Sequence, residues 1–127
     1  MIALDASVLV ALLNVTDKHN LMARTIVQTQ PRPYLIHEIN LAEVLAHATR
    51  VGKQEVVMSR LRQVVSVRGS NGELGALRLA ELRVGTGLRL PDCCALDLAR
   101  ESGGILATFD QTMASAARSL GLEVVPI

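Results

Sequence analysis

The chain has 127 residues, half of them apolar and 20% charged, with a formal net charge of +1. That length suits one domain with a sizeable core, and that composition excludes a disordered chain. The apolar stretches fall well short of the roughly 20 residues that span a bilayer, and no basic lead precedes them, so neither a membrane segment nor a signal peptide is expected.

Ile2 to Leu4 is an apolar run too short for a helix and reads as a buried strand. It delivers Asp5 to its C-terminal tip, and Ser7 to Leu13 continues as a helix that is apolar on nearly every face. Asp is a favoured N-cap. The carboxyl ends of strands in open α/β sheets are also where ligands gather. Val15 to Lys18 is a polar break, and His19 to Gln30 reads as a second helix ended by Pro31 and Pro33. Tyr34 to Ile36 is a second short strand. In HEINLAEVLAHATRVG, residues Ile39, Leu41, Ala42, Val44, Leu45 and Ala48 recur at helical spacing, and Gly52 is a plausible stop. Glu43 falls in the middle of this apolar face. A buried carboxylate must be paired or bind a cation. Asn40 and His47 share its face, and a rim position paired to Arg50 or His47 is the simpler alternative. His37 and His47 are weak candidates for proton transfer.

Lys53 to Val65 reads as an amphipathic helix with Val56, Val57, Leu61 and Val64 inward, and Val64 to Val67 can run on as an extended segment. A loop over Arg68 to Gly72 precedes a helix over Glu73 to Val84. Leu88 to Pro91 then leads into Asp92, at or near the N-cap of a helix through DCCALDLARESGG. Asp97 lies about 140° round that helix from Asp92, so it should not share its target and is expected on the surface or in a supporting position. Ile105 to Ala107 is a third buried strand, with Thr108, Phe109 and Asp110 at its tip. Gln111 to Leu120 is helical, and Leu122 to Val125 is a last strand. Short apolar strands alternating with helices imply a three-layer α/β/α fold around a short-stranded parallel sheet, formed by a single domain over residues 1–127.

Cys93 and Cys94 are the only cysteines. Without a Cys/His partner set they make neither a disulfide framework nor a zinc site, and they suit small buried groups in a reducing cytoplasm.

In such a sheet Asp5, Glu43, Asp92 and Asp110 all fall toward one carboxyl edge. Each alone reads as a cap or a rim residue, but four together ask for more. Two unit charges about 4 Å apart repel by around 4 kcal/mol at an effective dielectric near 20. Protonation or a divalent cation relieves that cost. Oxygen ligands completed by water suit Mg²⁺ or Mn²⁺, and such a site supports phosphodiester hydrolysis through a metal-activated water. Ser7, Thr108 and Asn40 are placed to orient the carboxylates or waters.

IALDASVLVALL, INLAEVLAHATR, LRLPDCCALDLAR and ILATFDQTMASAARSLGLEVV, in this order and spacing, resemble the PIN-domain ribonucleases, and at this length the VapC-type toxins of toxin–antitoxin pairs. Gln54 to Gly87 matches only as generic helices. The resemblance implies an acidic metal pocket of Asp5, Glu43, Asp92 and Asp110, with Ser7 and Thr108 close by. It further implies Mg²⁺-dependent endoribonuclease activity, often on transfer or ribosomal RNA, a homodimer, and neutralisation by a VapB-type antitoxin. One departure is Phe109, where many relatives carry Asn.

Eleven of the thirteen basic residues are arginine, a side chain suited to bidentate phosphate contacts. Arg50, Lys53 and Arg89 are the candidates for holding an RNA backbone, against the alternative of a solvated helical surface. Tyr34 and Phe109 are the only Tyr and Phe, and Trp is absent, so a binder built on rows of stacking platforms is not expected. A phosphoacceptor receiver domain would want a lysine near the last strands, and a dehalogenase-like phosphatase would want Asp at position 7. Another metal-dependent phosphoryl-transfer enzyme and a non-enzymatic PIN-like interaction module remain as alternatives. The interaction module would be expected to lose one of the four acids.

Overall fold

The structure is a computed structural model that describes residues 1–126. Among these, five strands form one parallel sheet: β1 (Ile2–Leu4), β2 (Tyr34–His37), β3 (Val65–Arg68), β4 (Ile105–Ala107) and β5 (Glu123–Val125), in the order β3-β2-β1-β4-β5. Seven helices surround it: α1 (Ala6–Leu13), α2 (Asn20–Thr29), α3 (Glu38–Arg50), α4 (Gln54–Leu61), α5 (Gly72–Thr86), α6 (Leu90–Glu101) and α7 (Gln111–Ser119). No helix among the described residues is long and apolar enough to cross a membrane.

Side-chain alternation along the strands divides the core in two. Ile2, Leu4, Tyr34, Ile36 and Val65 face α1 to α4. Ala3, Leu35, Leu106 and Val124 face α5, α6 and α7. The three-layer α/β/α fold is therefore the one expected, and it follows from strands apolar on both faces.

In the middle of the chain the helix is shorter than expected, and the extended alternative at Val64 to Val67 is the one the structure takes. The helix after Lys53 stops at Leu61, and Val65–Arg68 is a fifth strand at the sheet edge. Only Val65 of that strand is buried. An edge strand has little apolar signal of its own, and here the run of β-branched residues decides. Val56, expected inward, is 56% exposed. In α3 the buried set is Asn40, Leu41, Val44 and Ala48, while Ile39, Ala42 and Glu43 are exposed. Glu43 thus sits on the flank of the buried arc, not within it. It forms no ion pair with Arg50 or His47 among the described residues.

Every residue of α6 from Cys93 to Ala99 is buried, because the sheet, α3 and α5 close around it. Asp97 is consequently not at the surface. Its carboxylate is 6% exposed and takes a bidentate pair from Arg78, Nε to Oδ1 at 2.8 Å and Nη2 to Oδ2 at 3.2 Å. Cys94 is a buried free thiol with its pKa pushed up to about 11, mainly by burial, and is unreactive as a thiolate.

His37 caps α3. Its Nδ1 accepts from the Ile39 N–H at 3.1 Å, so Nε2 carries the proton and meets Ser70 Oγ at 2.8 Å. Burial pulls its pKa below the ordinary 6.5, against the raising effect of the Glu38 and Asp97 charges. The unfolded chain therefore binds a proton at His37 near pH 6.5, before the folded chain does. This contribution to stability is intact above pH 6.5 and is lost as pH falls through the lower folded value. Urea unfolding followed from pH 7.5 to pH 5 should show that loss. His37→Asn, which keeps a capping acceptor but does not titrate, should flatten the slope. An unchanged slope in the variant would remove His37 as its source.

Candidate active site at the carboxyl edge of the sheet

All five strands run the same way, so their carboxyl tips share an edge. Asp5 follows β1 there, and Thr108 and Asp110 follow β4, its neighbour. The helix α3 starts at this edge from β2. The helix α6 also starts here, because it runs back across the sheet to feed the parallel strand β4.

Asp5 is the most constrained group. It is 7% exposed and caps α1, accepting from the Ser7 N–H at 2.9 Å. Two hydroxyls clamp its carboxylate: Ser7 Oγ donates to Oδ1 at 2.5 Å and Thr108 Oγ1 donates to Oδ2 at 2.5 Å. Each hydroxyl in turn accepts a backbone N–H, Ser7 from Phe109 at 3.1 Å and Thr108 from Asp110 at 3.0 Å. Burial raises the Asp5 pKa, and the Ser7 and Thr108 hydroxyls pull it back down. Asp110 caps α7 through Oδ1, which accepts from the Thr112 and Met113 N–H groups.

A second group is tied together by Asn40. Its Nδ2 donates to the Pro91 carbonyl at 2.9 Å and to Glu43 Oε1 at 3.4 Å. One carboxamide thus joins α3 to the first turn of α6, one residue before Asp92. Asp92 is not the N-cap; Arg89 holds that position, with Pro91 between them. A carboxylate in the first turn is favoured there by the helix dipole, and Arg89 Nε lies 3.6 Å from its Oδ2. Asn40 Oδ1 is buried with no partner.

The expected residues therefore gather as two linked groups, Asp5–Ser7–Thr108–Asp110 and Asn40–Glu43–Asp92. Among the described residues no three His, Cys, Asp or Glu side chains stand close enough to hold a metal ion together. Mg²⁺ does not require three, since it keeps several waters and binds through one or two carboxylates. The donors here are carboxylates, hydroxyls and a carboxamide with an unpartnered oxygen, and that all-oxygen set fits a hard, hydrated cation.

The basic candidates separate. Arg89 is at this edge. Arg50 lies ten residues along α3 from Asn40, about 15 Å down its axis, and Lys53 follows it. Arg68, not singled out from sequence, ends β3 in register with His37 at the same edge. It has no carboxylate partner among the described residues. Carrying the extended segment at Val64 to Val67 one residue further, to a strand tip, was the signal that would have found it.

Thr108 is the joint between the two strand tips. Thr108→Val should leave the Asp110 N–H unpaired and remove a donor from Asp5, costing about 1–3 kcal/mol. Thr108→Ser should stay close to wild type. Equal stability of the valine and serine variants in urea at pH 7 would contradict this role.

A PIN-domain family model matches residues 2–119. Among solved structures the fold is similar to VapC20 of Mycobacterium tuberculosis, described as a sarcin–ricin-loop-cleaving toxin, at 20% identity over 91% of this chain and 95% of that one, TM-score 0.74. It is similar to a toxin–antitoxin complex from Klebsiella pneumoniae at 21% identity over 87% of each chain, TM-score 0.73. It is also similar to VapBC2 of Rickettsia felis bound to a promoter DNA fragment, at 17% identity over 98% of this chain and 97% of that one, TM-score 0.68. No curated protein matches the chain. With the family model spanning almost its whole length, the chain belongs to the PIN-domain family.

Proposed function

We propose that this chain is a metal-dependent endoribonuclease and the toxin of a VapBC-type pair, acting in the cytoplasm as a single domain over residues 1–127. The observation that carries the reading is the clamp on Asp5. A buried carboxylate whose two oxygens are oriented by hydroxyls from adjoining strand tips is held for a ligand, because a helix cap needs only one of them.

Asp5 and Asp110 would hold a Mg²⁺ ion, which Mn²⁺ could replace, with Asp92 and Glu43 completing the acidic edge around its waters. When bound, the ion supplies an activated water and offsets charge on the scissile phosphate. Ser7 and Thr108 fix the Asp5 carboxylate. Asn40 fixes Glu43 against the first turn that bears Asp92. Arg89 and Arg68, both at this edge, would meet backbone phosphates. A transfer or ribosomal RNA substrate, a homodimer and a VapB-type antitoxin are the accompanying expectations. The similar structures described as toxin–antitoxin complexes support the last of these. A short DNA-binding antitoxin gene immediately upstream is the expected neighbour.

A second reading, a non-enzymatic PIN-fold interaction module, is favoured by one observation: no three acidic or imidazole side chains converge among the described residues. Sequencing of RNA ends after induced expression separates the two. The wild type should generate new ends at defined sites, and Asp5→Asn should keep the fold by circular dichroism while losing more than about 100-fold of the cleavage. Binding of a target oligonucleotide should weaken with salt and with Arg68→Ala. Cleavage by Asp5→Asn equal to wild type would remove Asp5 from the reaction, and no new ends with either protein would favour the interaction module.

A further inference from the structure

Two aromatic rings meet at the rim of the acidic edge. Phe109 lies between Thr108, which clamps Asp5, and Asp110, and its N–H donates to Ser7 Oγ at 3.1 Å. Its backbone is therefore fixed by the same hydroxyl that orients the Asp5 carboxylate. Its ring stacks on the imidazole of His19, with centroids 4.4 Å apart and planes 8° from parallel. His19 stands at the start of α2, and its N–H is held by Asp17 Oδ1 at 2.8 Å. Both side chains are half-buried, so the pair is anchored yet open to solvent on part of its surface.

Composition makes this pair singular. The chain has one Phe, one Tyr and no Trp. Tyr34 is 1% exposed, and its hydroxyl donates into carbonyls at the end of α2, Val27 and Gln30 among them. It cannot meet a ligand. Phe109 is the one large aromatic ring with a surface to offer, and it is next to an acid of the candidate site. Rows of stacking platforms are excluded by the sequence, but a single platform at the reacting position is not.

We propose that the stacked Phe109–His19 pair is the platform for one unpaired nucleobase beside the scissile phosphate. Unpaired bases in RNA loops are bound by stacking on Phe, Tyr, Trp or His rings. A ring backed by a second ring and fixed at its backbone loses little freedom on binding. The platform selects substrates whose base at that position is already splayed out of a helix, and it favours purines, whose larger π face covers more of the ring. This inference rests on the ribonuclease reading and names the feature of RNA that the site recognises.

The test uses the full chain carrying Asp92→Asn to slow cleavage, and single-stranded RNA oligonucleotides with 2-aminopurine moved one position at a time. Fluorescence should be quenched at one position on binding. In the same background Phe109→Leu, similar in bulk without a π face, should abolish that quench and weaken binding about fivefold to a hundredfold. Phe109→Tyr should preserve both, and His19→Gln should reduce the quench while leaving Phe109 in place. An abasic residue at the quenched position should cost the parent protein affinity and cost Phe109→Leu none. Quenching as strong in the leucine and glutamine variants as in the parent would overturn the platform while leaving the ribonuclease reading intact. No RNA binding by the parent would overturn both.

Discussion

The site depends on the burial of one carboxylate at the junction of two strand tips. Moving Asp5 out of water disfavours its charged form, and its raised pKa records that cost. Two hydroxyls offset part of it by donating to the carboxylate, and each is oriented by a backbone N–H that it accepts. Phe109 and Asp110 supply those N–H groups from the turn after β4. The chain thus closes a loop of bonds from residue 5 to residue 110 through Ser7 and Thr108. The ends of β1 and β4 are locked in register at the point where a ligand would bind.

The rest of the fold brings the other half of the edge to that junction. The helix α6 is buried from Cys93 to Ala99, and the Arg78–Asp97 pair fastens it to α5. Asn40 then ties its start to α3, and with it Asp92 to Glu43. Buried ion pairs contribute little net stability, but breaking one leaves an uncompensated charge. Asp97 thereby fixes the placement of α6 more than it strengthens the fold. The result is two preassembled acidic groups facing one edge, with an unpartnered Asn40 oxygen between the elements that carry them.

Much of this arrangement was legible in the sequence. Short apolar strands alternating with helices specify the parallel sheet, and the acid after β1 and the hydroxyl and acid after β4 mark the edge on which Asp5, Thr108 and Asp110 meet. What the pattern could not resolve were features set by tertiary contact. Glu43 looked embedded because its immediate neighbours are apolar, yet helical geometry turns Ala42 and Glu43 away from the arc of Asn40, Leu41, Val44 and Ala48. Asp97 looked like a surface acid because its partner, Arg78, lies nineteen residues away on another helix. The edge strand β3 has one buried residue, so hydropathy left Val64 to Val67 open between the end of a helix and an extended segment. Phe109 stacking on His19 is a contact between residues ninety positions apart, and no local spacing encodes it.

The central claim is that this edge is built to hold a hard divalent ion, and the most direct measurement is thermal unfolding against Mg²⁺ concentration. An ion that binds only the folded chain stabilises it by mass action. The account predicts a midpoint that climbs by several degrees, about 5 °C, as Mg²⁺ rises through the millimolar range. It predicts no such climb in a chain carrying Asp5→Asn and Asp110→Asn together. A wild-type midpoint that does not move with Mg²⁺ or Mn²⁺, or a climb of equal size in the double variant, would contradict it.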